Sequence, residues 1–314
     1  MDTLKMTEKI QNNLKKPYYE TPDSMVKLYH ADCFDVLPEI PIVDCVMTDP
    51  PYMYMKTDAT VFDLTNIDFN RLANLFAEKL TDVGFIGAFG RGIMLAKMMI
   101  ALDSVGFKFK ESICWDKRRA SSPCHRLLRV HEDCVLFSRS GTVRPSVVEY
   151  IEKNRYEYNK VIKDVRRLKS VLCKNGLQLK KVEDYLKTGV YKFDSKAKIK
   201  DHITVHPGIM QRCKVVATAH AINEGFRETD LIQLHVDRKK RIHPTEKPVR
   251  LIERILAIIS DKGDTILDPF AGSGSTGIAC IQTGRRCILI EKDERYCEMI
   301  VNRLKSYATY QQPR

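Results

Sequence analysis

Asp49-Pro50-Pro51-Tyr52 closes the apolar run Val43–Met47 and gathers the groups that could hold a planar amine. Two successive prolines fix φ near −65° and cannot continue a sheet, so the segment projects as a stiff turn. It presents a carboxylate, carbonyls outside any ladder and an aromatic face. Asp49 and the Pro50 carbonyl can accept from an –NH2 group while Tyr52 stacks on the ring, a contact worth about 1–3 kcal/mol per nucleobase. A rigid turn with a solvated Asp49 and a packed Tyr52 is the plainer reading of the same residues.

A second constellation is Asp268-Pro269-Phe270-Ala271-Gly272-Ser273-Gly274-Ser275-Thr276-Gly277, which follows another apolar run and opens a helical stretch. Small residues let backbone approach a ligand closely, and a helix N-terminus offers unpaired N–H groups at a positive dipole end. Gly272, Gly274 and Gly277 match G-x-G-x-x-G, and Glu291 stands 19 residues after Gly272, where an acid can accept from ribose hydroxyls. There is no Gly-Lys-Ser/Thr, which excludes a P-loop. A dinucleotide site and a ligand-free strand-to-helix turn both fit these glycines. Asp268 adds a constraint: a carboxylate before the loop would repel a pyrophosphate and suits a ligand that carries an ammonium group. A nucleoside with a cationic amino-acid tail satisfies both Asp268 and Glu291, and S-adenosylmethionine is such a ligand.

These residues need a sheet whose strand ends meet. Short apolar runs at 26–30, 43–47, 83–89, 112–115 and 134–137, with helical spacing at 71–80 and 93–102, predict strands alternating with helices. The pattern returns after Arg241, with a helix carrying Leu251, Ile255, Ile258 and Ile259, strands at 265–267 and 287–290, and helices from Thr276 and Glu294. That texture predicts an α/β fold: a mostly parallel twisted sheet with helices on both faces. Two of its strands end in Asp-Pro, at the carboxyl edge where open α/β sheets bind ligands. Residues 148–186 differ, being rich in Lys, Arg, Glu and Leu, with Val161, Val165, Leu168 and Leu172 at helical spacing. They read as an inserted, mainly helical module.

The 314 residues contain 44% hydrophobic and 29% charged side chains, enough to bury a sizeable core and too ordered a mixture for a disordered chain. No apolar stretch is long enough for a membrane span and the start lacks a secretory h-region. Ten cysteines occur without one C-x-x-C, as expected of reduced core thiols in a cytoplasmic protein, and no metal site is visible. Net charge is +12, and residues 144–212 hold 17 Lys and Arg against 8 Asp and Glu, so most of the excess sits in the inserted module. Such a balance favours a polyanionic partner.

The tetrapeptide together with Asp-Pro-Phe-Ala-Gly-Ser-Gly-Ser-Thr resembles the amino-methylating DNA methyltransferases, which use S-adenosylmethionine. Their order, tetrapeptide first and glycine loop last around a basic insertion, resembles the beta class. His243-Pro244-Thr245-Glu246-Lys247-Pro248 resembles the segment before that class's cofactor helix, and Tyr29-His30-Ala31-Asp32-Cys33 resembles the segment whose Asp contacts the cofactor adenine. The resemblance covers roughly residues 24–140 and 241–306 and implies a Rossmann-like methyltransferase fold. It divides the chain into an N-terminal tail (1–23), a catalytic half (24–140), a target-recognition insertion (141–240), a cofactor-binding half (241–306) and a C-terminal tail (307–314). Met53 and Ser275 depart from the common pattern, which bears on fine substrate geometry.

What the resemblance implies is a site-specific enzyme that methylates a base flipped out of double-stranded DNA. Asp49, Pro50, Pro51 and Tyr52 would be catalytic, with Asp heading the tetrapeptide favouring adenine N6 over cytosine N4. The cofactor would be held by Asp32, Cys33, His243, Thr245, Lys247, Asp268, Phe270, Ala271, Gly272, Ser273, Gly274, Ser275, Thr276, Glu291 and Lys292. A basic loop with Lys117, Arg118, Arg119, Arg126 and Arg129 is expected to meet phosphates near the flipped base, a solvated loop being the alternative. His131-Glu132 reads as structural. A homodimer and a cognate restriction endonuclease are further candidate partners, in a bacterial, archaeal or phage-encoded setting. Methylation of RNA, a nicotinamide-dependent dehydrogenase and an inactive DNA-binding core remain the competing readings.

Overall fold

The structure is a computed structural model. It describes residues 16–51, 67–118, 127–174, 214–235 and 246–310. Residue contacts divide the chain into two units, Met1–Arg144 with Thr229–Arg314, and Pro145–Glu228.

In the first unit the strands are β1 (Tyr19–Glu20), β2 (Val26–His30), β3 (Val43–Thr48), β4 (Leu80–Gly90), β5 (Lys108–Asp116), β6 (His131–Ser138), β9 (Leu231–Gln233), β10 (Thr265–Asp268) and β11 (Arg286–Glu291). They form one sheet in the order β1-β2-β11-β10-β3-β4-β6-β5-β9. All run in one direction except β1 and β6. The central strands are buried on both faces, as continuous apolar runs require. Alternate residues enter different cores: Cys45 and Met47 join one apolar cluster and Val46 the other.

Helices cover both clusters. On one side lie α1 (Cys33–Val36), α2 (Phe69–Lys79) and α3 (Gly92–Ser104). Asp32 caps α1 through the Phe34 N–H at 3.0 Å, and Asp68 caps α2 through the Arg71 N–H at 3.0 Å, each satisfying an orphan donor of the first turn. On the other side lie α7 (Val249–Ile259), α8 (Ser275–Gln282) and α9 (Glu294–Tyr310). Leu251, Ile255, Ile258 and Ile259 of α7 are buried in the expected stripe, and Pro248 stands just before the helix as its N-cap. The chain leaves β3 toward β4 and leaves β10 toward β11, in opposite directions along the sheet. The switch point therefore falls between β3 and β10.

The second unit holds α4 (Tyr150–Lys153), α5 (Tyr158–Lys174), α6 (Lys214–Glu224) and a small ribbon of β7 (Val147–Val148) with β8 (Phe226–Arg227). The helix expected here exists, and Val161 and Leu168 of the apolar spacing are half-buried, but Val165 is 57% exposed while Asp164 is buried. The reason is a polar network. The Tyr150 hydroxyl donates to Asp164 at 2.7 Å, and Arg167 donates to Asp164 at 2.7 Å and to the Thr218 hydroxyl at 3.2 Å.

The described elements can be set beside the segments expected from the sequence. The insertion, expected at 141–240, corresponds to a compact unit of 145–228, because β9 pairs with β5 and the Trp115 indole donates to the Leu234 carbonyl at 3.0 Å. The N-terminal tail is ordered at Tyr19–Glu20, which add β1 to the sheet edge. The C-terminal tail, expected from 307, is helical to Tyr310. Among the described residues no helix is long and apolar enough to cross a membrane.

Candidate active site

Asp49 directly follows β3 and Asp268 ends β10, so the two Asp-Pro strand ends flank the switch point. Glu291 ends the neighbouring β11, and Asp32 follows β2. Four acids spread over 260 residues of chain thus stand along one carboxyl edge.

The glycine loop is held by two of them. One Asp268 oxygen accepts from the Thr276 hydroxyl at 2.6 Å and the other from the Phe270 N–H at 3.1 Å, so the carboxylate clips the loop's start to the first turn of α8. Glu291 accepts from the Gly272 N–H at 2.8 Å and the Asp293 N–H at 2.9 Å. Burial pushes the Asp268 carboxyl up to about 7; the two donors pull it down, and the charges of Asp49 and Glu291 add to the rise. Burial also raises Glu291, against its backbone donors. Burial and mutual repulsion thus both act on these two carboxyls.

The loop's conformation requires its small residues. Gly274 has φ 71°, a left-handed value that residues with a Cβ rarely adopt, and a Cβ there would lie 3.0 Å from Ile300. A Cβ on Gly277 would lie 2.9 Å from the Leu289 side chain, so this glycine sets the close approach of α8 to β11. Ala271, Ser273, Ser275 and Thr276 are buried, and the Ser273 and Ser275 hydroxyls lie 3.0 Å apart. Arg303 of α9 donates to the Ser273 carbonyl at 2.9 Å and the Ser275 hydroxyl at 3.2 Å and pairs with Glu246 at 2.9 Å. Neither Arg303 nor Glu246 stands out in the sequence, since each needs the other's position to have meaning.

Asp49 has a 21% exposed side chain, Pro50 is buried and Pro51 exposed. The Lys247 ammonium, 6% exposed, donates to Asp49 Oδ2 and lies 3.2 Å from Glu132 Oε2 and 5.0 Å from the centre of the Phe89 ring. Burial works against this ammonium, but the two carboxylates outweigh it and hold its pKa above the usual lysine value. Glu132 in turn pairs with Lys117; burial would raise its carboxyl, yet Lys247 and Lys117 hold it below the ordinary range.

Lys117, expected among the phosphate-binding residues, is 9% exposed, and its ammonium pairs with Glu132 above the Trp115 ring. Arg118 is exposed beside it with φ 58°, its N–H donating to Asp116 at 2.8 Å, and Arg129 is half-buried. Asp32, besides capping α1, pairs with Lys292 at 3.5 Å. Cys33 is buried, and burial with the Asp32 charge pushes its thiol up to about 12. Phe270 is half-buried. Tyr52, Arg119, Arg126, His243 and Thr245 lie outside the described residues.

A family model described as DNA methylase, of the N6/N4 methyltransferase type, matches residues 43–302. The type II methyltransferase M2.LlaDCHI of Lactococcus lactis subsp. cremoris is 25% identical over 322 residues, covering 95% of each chain. The crystal structure of the M1.HpyAVI–SAM complex aligns at 20% identity with a TM-score of 0.53, over 89% of this chain and 99% of that one. The cytosine-N4-specific PvuII DNA methyltransferase aligns at 17% identity with a TM-score of 0.55, over 92% of this chain and 89% of that one. At these identities the two structures establish a common fold.

Proposed function

Because the chain belongs to the N6/N4 DNA methylase family, we propose that it transfers a methyl group from S-adenosylmethionine to adenine N6 in duplex DNA. The observation that carries this reading is the pair of strand ends at the switch point: Asp49 on one side, Asp268 with its glycine loop on the other. The donor set fits the cofactor. A loop that a Cβ would obstruct, together with the buried carboxyls of Asp268 and Glu291, suits a ligand with a nucleoside body and a positive charge. Asp268, Glu291 and residues 270–276 would hold it, with Asp32, Cys33 and Lys292 at the adjacent strand end.

The cofactor supplies a methyl group on a sulfonium centre. The exocyclic amine of a base is a weak nucleophile because its lone pair is delocalised into the ring. Asp49 and the Pro50 carbonyl would accept hydrogen bonds from its two N–H groups and favour a pyramidal nitrogen, which sheds one proton to solvent once methylated; Tyr52 would stack on the flipped ring. Most of the rate then comes from alignment, which can remove about 7–11 kcal/mol of barrier. Flipping the base out of the duplex costs a few kcal/mol.

Adenine follows from the aspartate that heads the tetrapeptide. Cytosine N4 is the second reading, favoured by the structural likeness to the PvuII enzyme. The same proposal extends to a cytoplasmic protein, to a homodimer and to a cognate restriction endonuclease; the name of the Lactococcus relative supports only the last. The test is to incubate the protein with methyl-labelled S-adenosylmethionine and mixed-sequence duplex DNA, digest to nucleosides and weigh the product. N6-methyldeoxyadenosine is expected. N4-methyldeoxycytidine replaces the base assignment, and label in RNA but not DNA overturns the substrate.

A further inference from the structure

Glu132 is the second residue of β6 and has no part in the transfer as described above. It nevertheless completes a row of four alternating charges, Asp49–Lys247–Glu132–Lys117, in which each ammonium is backed by an aromatic ring, Phe89 or Trp115. A buried ammonium with one carboxylate partner is bound to it at nearly full strength, because low-dielectric surroundings screen the pair weakly. Lys247 has two partners. Its charge is divided between Asp49, the carboxylate that would receive the target amine, and Glu132, which is also paired with Lys117.

We propose that Glu132 is a positioning residue for the transfer. It keeps Lys247 shared, so that Asp49 stays ionised and oriented while remaining exchangeable to the incoming amine. Lys117 holds Glu132 in place from the far side. With Glu132 neutralised, the whole ammonium charge falls on Asp49, and the amine must then displace a buried ion pair before its hydrogens are accepted. This inference rests on the reading of Asp49 as the group that meets the amine.

The test is a double-mutant cycle of Glu132→Gln with Lys247→Met, assayed for kcat, KM for DNA and cofactor Kd. Glu132→Gln is expected to lower kcat roughly tenfold to a hundredfold, the range that misplacement of a reacting group can cost. KM and cofactor Kd should stay within about twofold, since the phosphate and cofactor contacts that set them do not involve Glu132 and the exchange at Asp49 is completed only on the way to the transition state. In the Lys247→Met background the same change should add almost nothing, because Glu132 acts only through the lysine. Glu132→Asp, which keeps the charge one methylene short, should regain part of the loss. If Lys247→Met does not fold, Lys247→Gln takes its place in the cycle. The proposal is overturned if Glu132→Gln costs the same factor in both backgrounds, if its loss falls on KM or Kd, or if Glu132→Asp is no better than Glu132→Gln. A wild type that methylates no DNA counts against the function instead. The coupling is then read from the urea midpoints of the same four proteins, where additivity overturns it and non-additivity supports it.

Discussion

Asp268 works against its own fold in order to favour a cation. Its carboxyl is raised to about 7, chiefly by burial, with the charges of Asp49 and Glu291 adding to the rise and the Thr276 hydroxyl and the Phe270 N–H opposing it. Two signs follow. The native state holds a proton that the unfolded chain, at an ordinary carboxyl pKa near 4, has released, so this group's share of stability falls as pH rises from about 4 to about 7. A cationic ligand prefers the ionised form, so cofactor affinity should rise from pH 6 to pH 8, by up to about tenfold per unit, and then level off. Asp268→Asn should flatten that rise, weaken binding at pH 8 and raise the melting temperature there. Calorimetric titration at three pH values checks the first two, and thermal scans check the third. At Asp49 the expectation is different: Asp49→Asn should abolish turnover and leave cofactor Kd nearly unchanged, because its role is toward the base. An equal loss of cofactor binding at both residues would mean that the two strand ends do not have separate duties.

At the scale of elements, the strand–loop–helix from β10 to α8 is stiff because two glycines admit contacts that no side chain allows. Gly277→Ala would drive a methyl into Leu289 of a fully paired central strand, and overpacking of that kind costs about 1–3 kcal/mol. A lowered melting temperature in the cofactor-free protein checks it. The helix α5 is the complementary case, with Lys160, Lys163, Arg166 and Lys169 exposed at three-residue intervals. Reversing Lys163, Arg166 and Lys169 to Glu should weaken DNA binding and flatten its salt dependence by up to about 0.9 log unit per lost phosphate contact. Fluorescence anisotropy over a salt series tests this, and unchanged slopes would remove α5 from the DNA surface. The elements themselves were largely legible, since apolar runs and helical spacing fix their kind. The burial of Asp164 on α5 was not, because it depends on the Tyr150 hydroxyl of α4 and on Arg167, which also reaches Thr218 of α6, and spacing reveals neither contact. The same holds for Lys117. A lysine in a basic loop reads as solvated until Glu132, fifteen residues on, is seen beside it.

The whole molecule separates charge from cofactor chemistry. Most of the excess positive charge lies in residues 144–212, whereas every described residue assigned to the cofactor lies in the other unit. Asp49, Asp268 and Glu291 could be read from the sequence because each ends an apolar strand run. That they share an edge depends on a strand order in which β3 and β10, more than two hundred residues apart, are neighbours. Hydrogen exchange can test that arrangement directly. A ligand that binds only the native state slows local opening of the segments it touches, by a free energy set by its concentration relative to Kd. Saturating S-adenosylmethionine should therefore protect amides in three separate stretches, 30–34, 268–277 and 290–293, together and with one concentration dependence. Residues 145–228 should be unaffected until DNA is added, at which point α5 should gain protection. Protection confined to 268–277 would reduce the cofactor site to the glycine loop alone. Protection of 145–228 by the cofactor in the absence of DNA would show that the unit carrying the charge also responds to the methyl donor, and the two-part division of labour would fail.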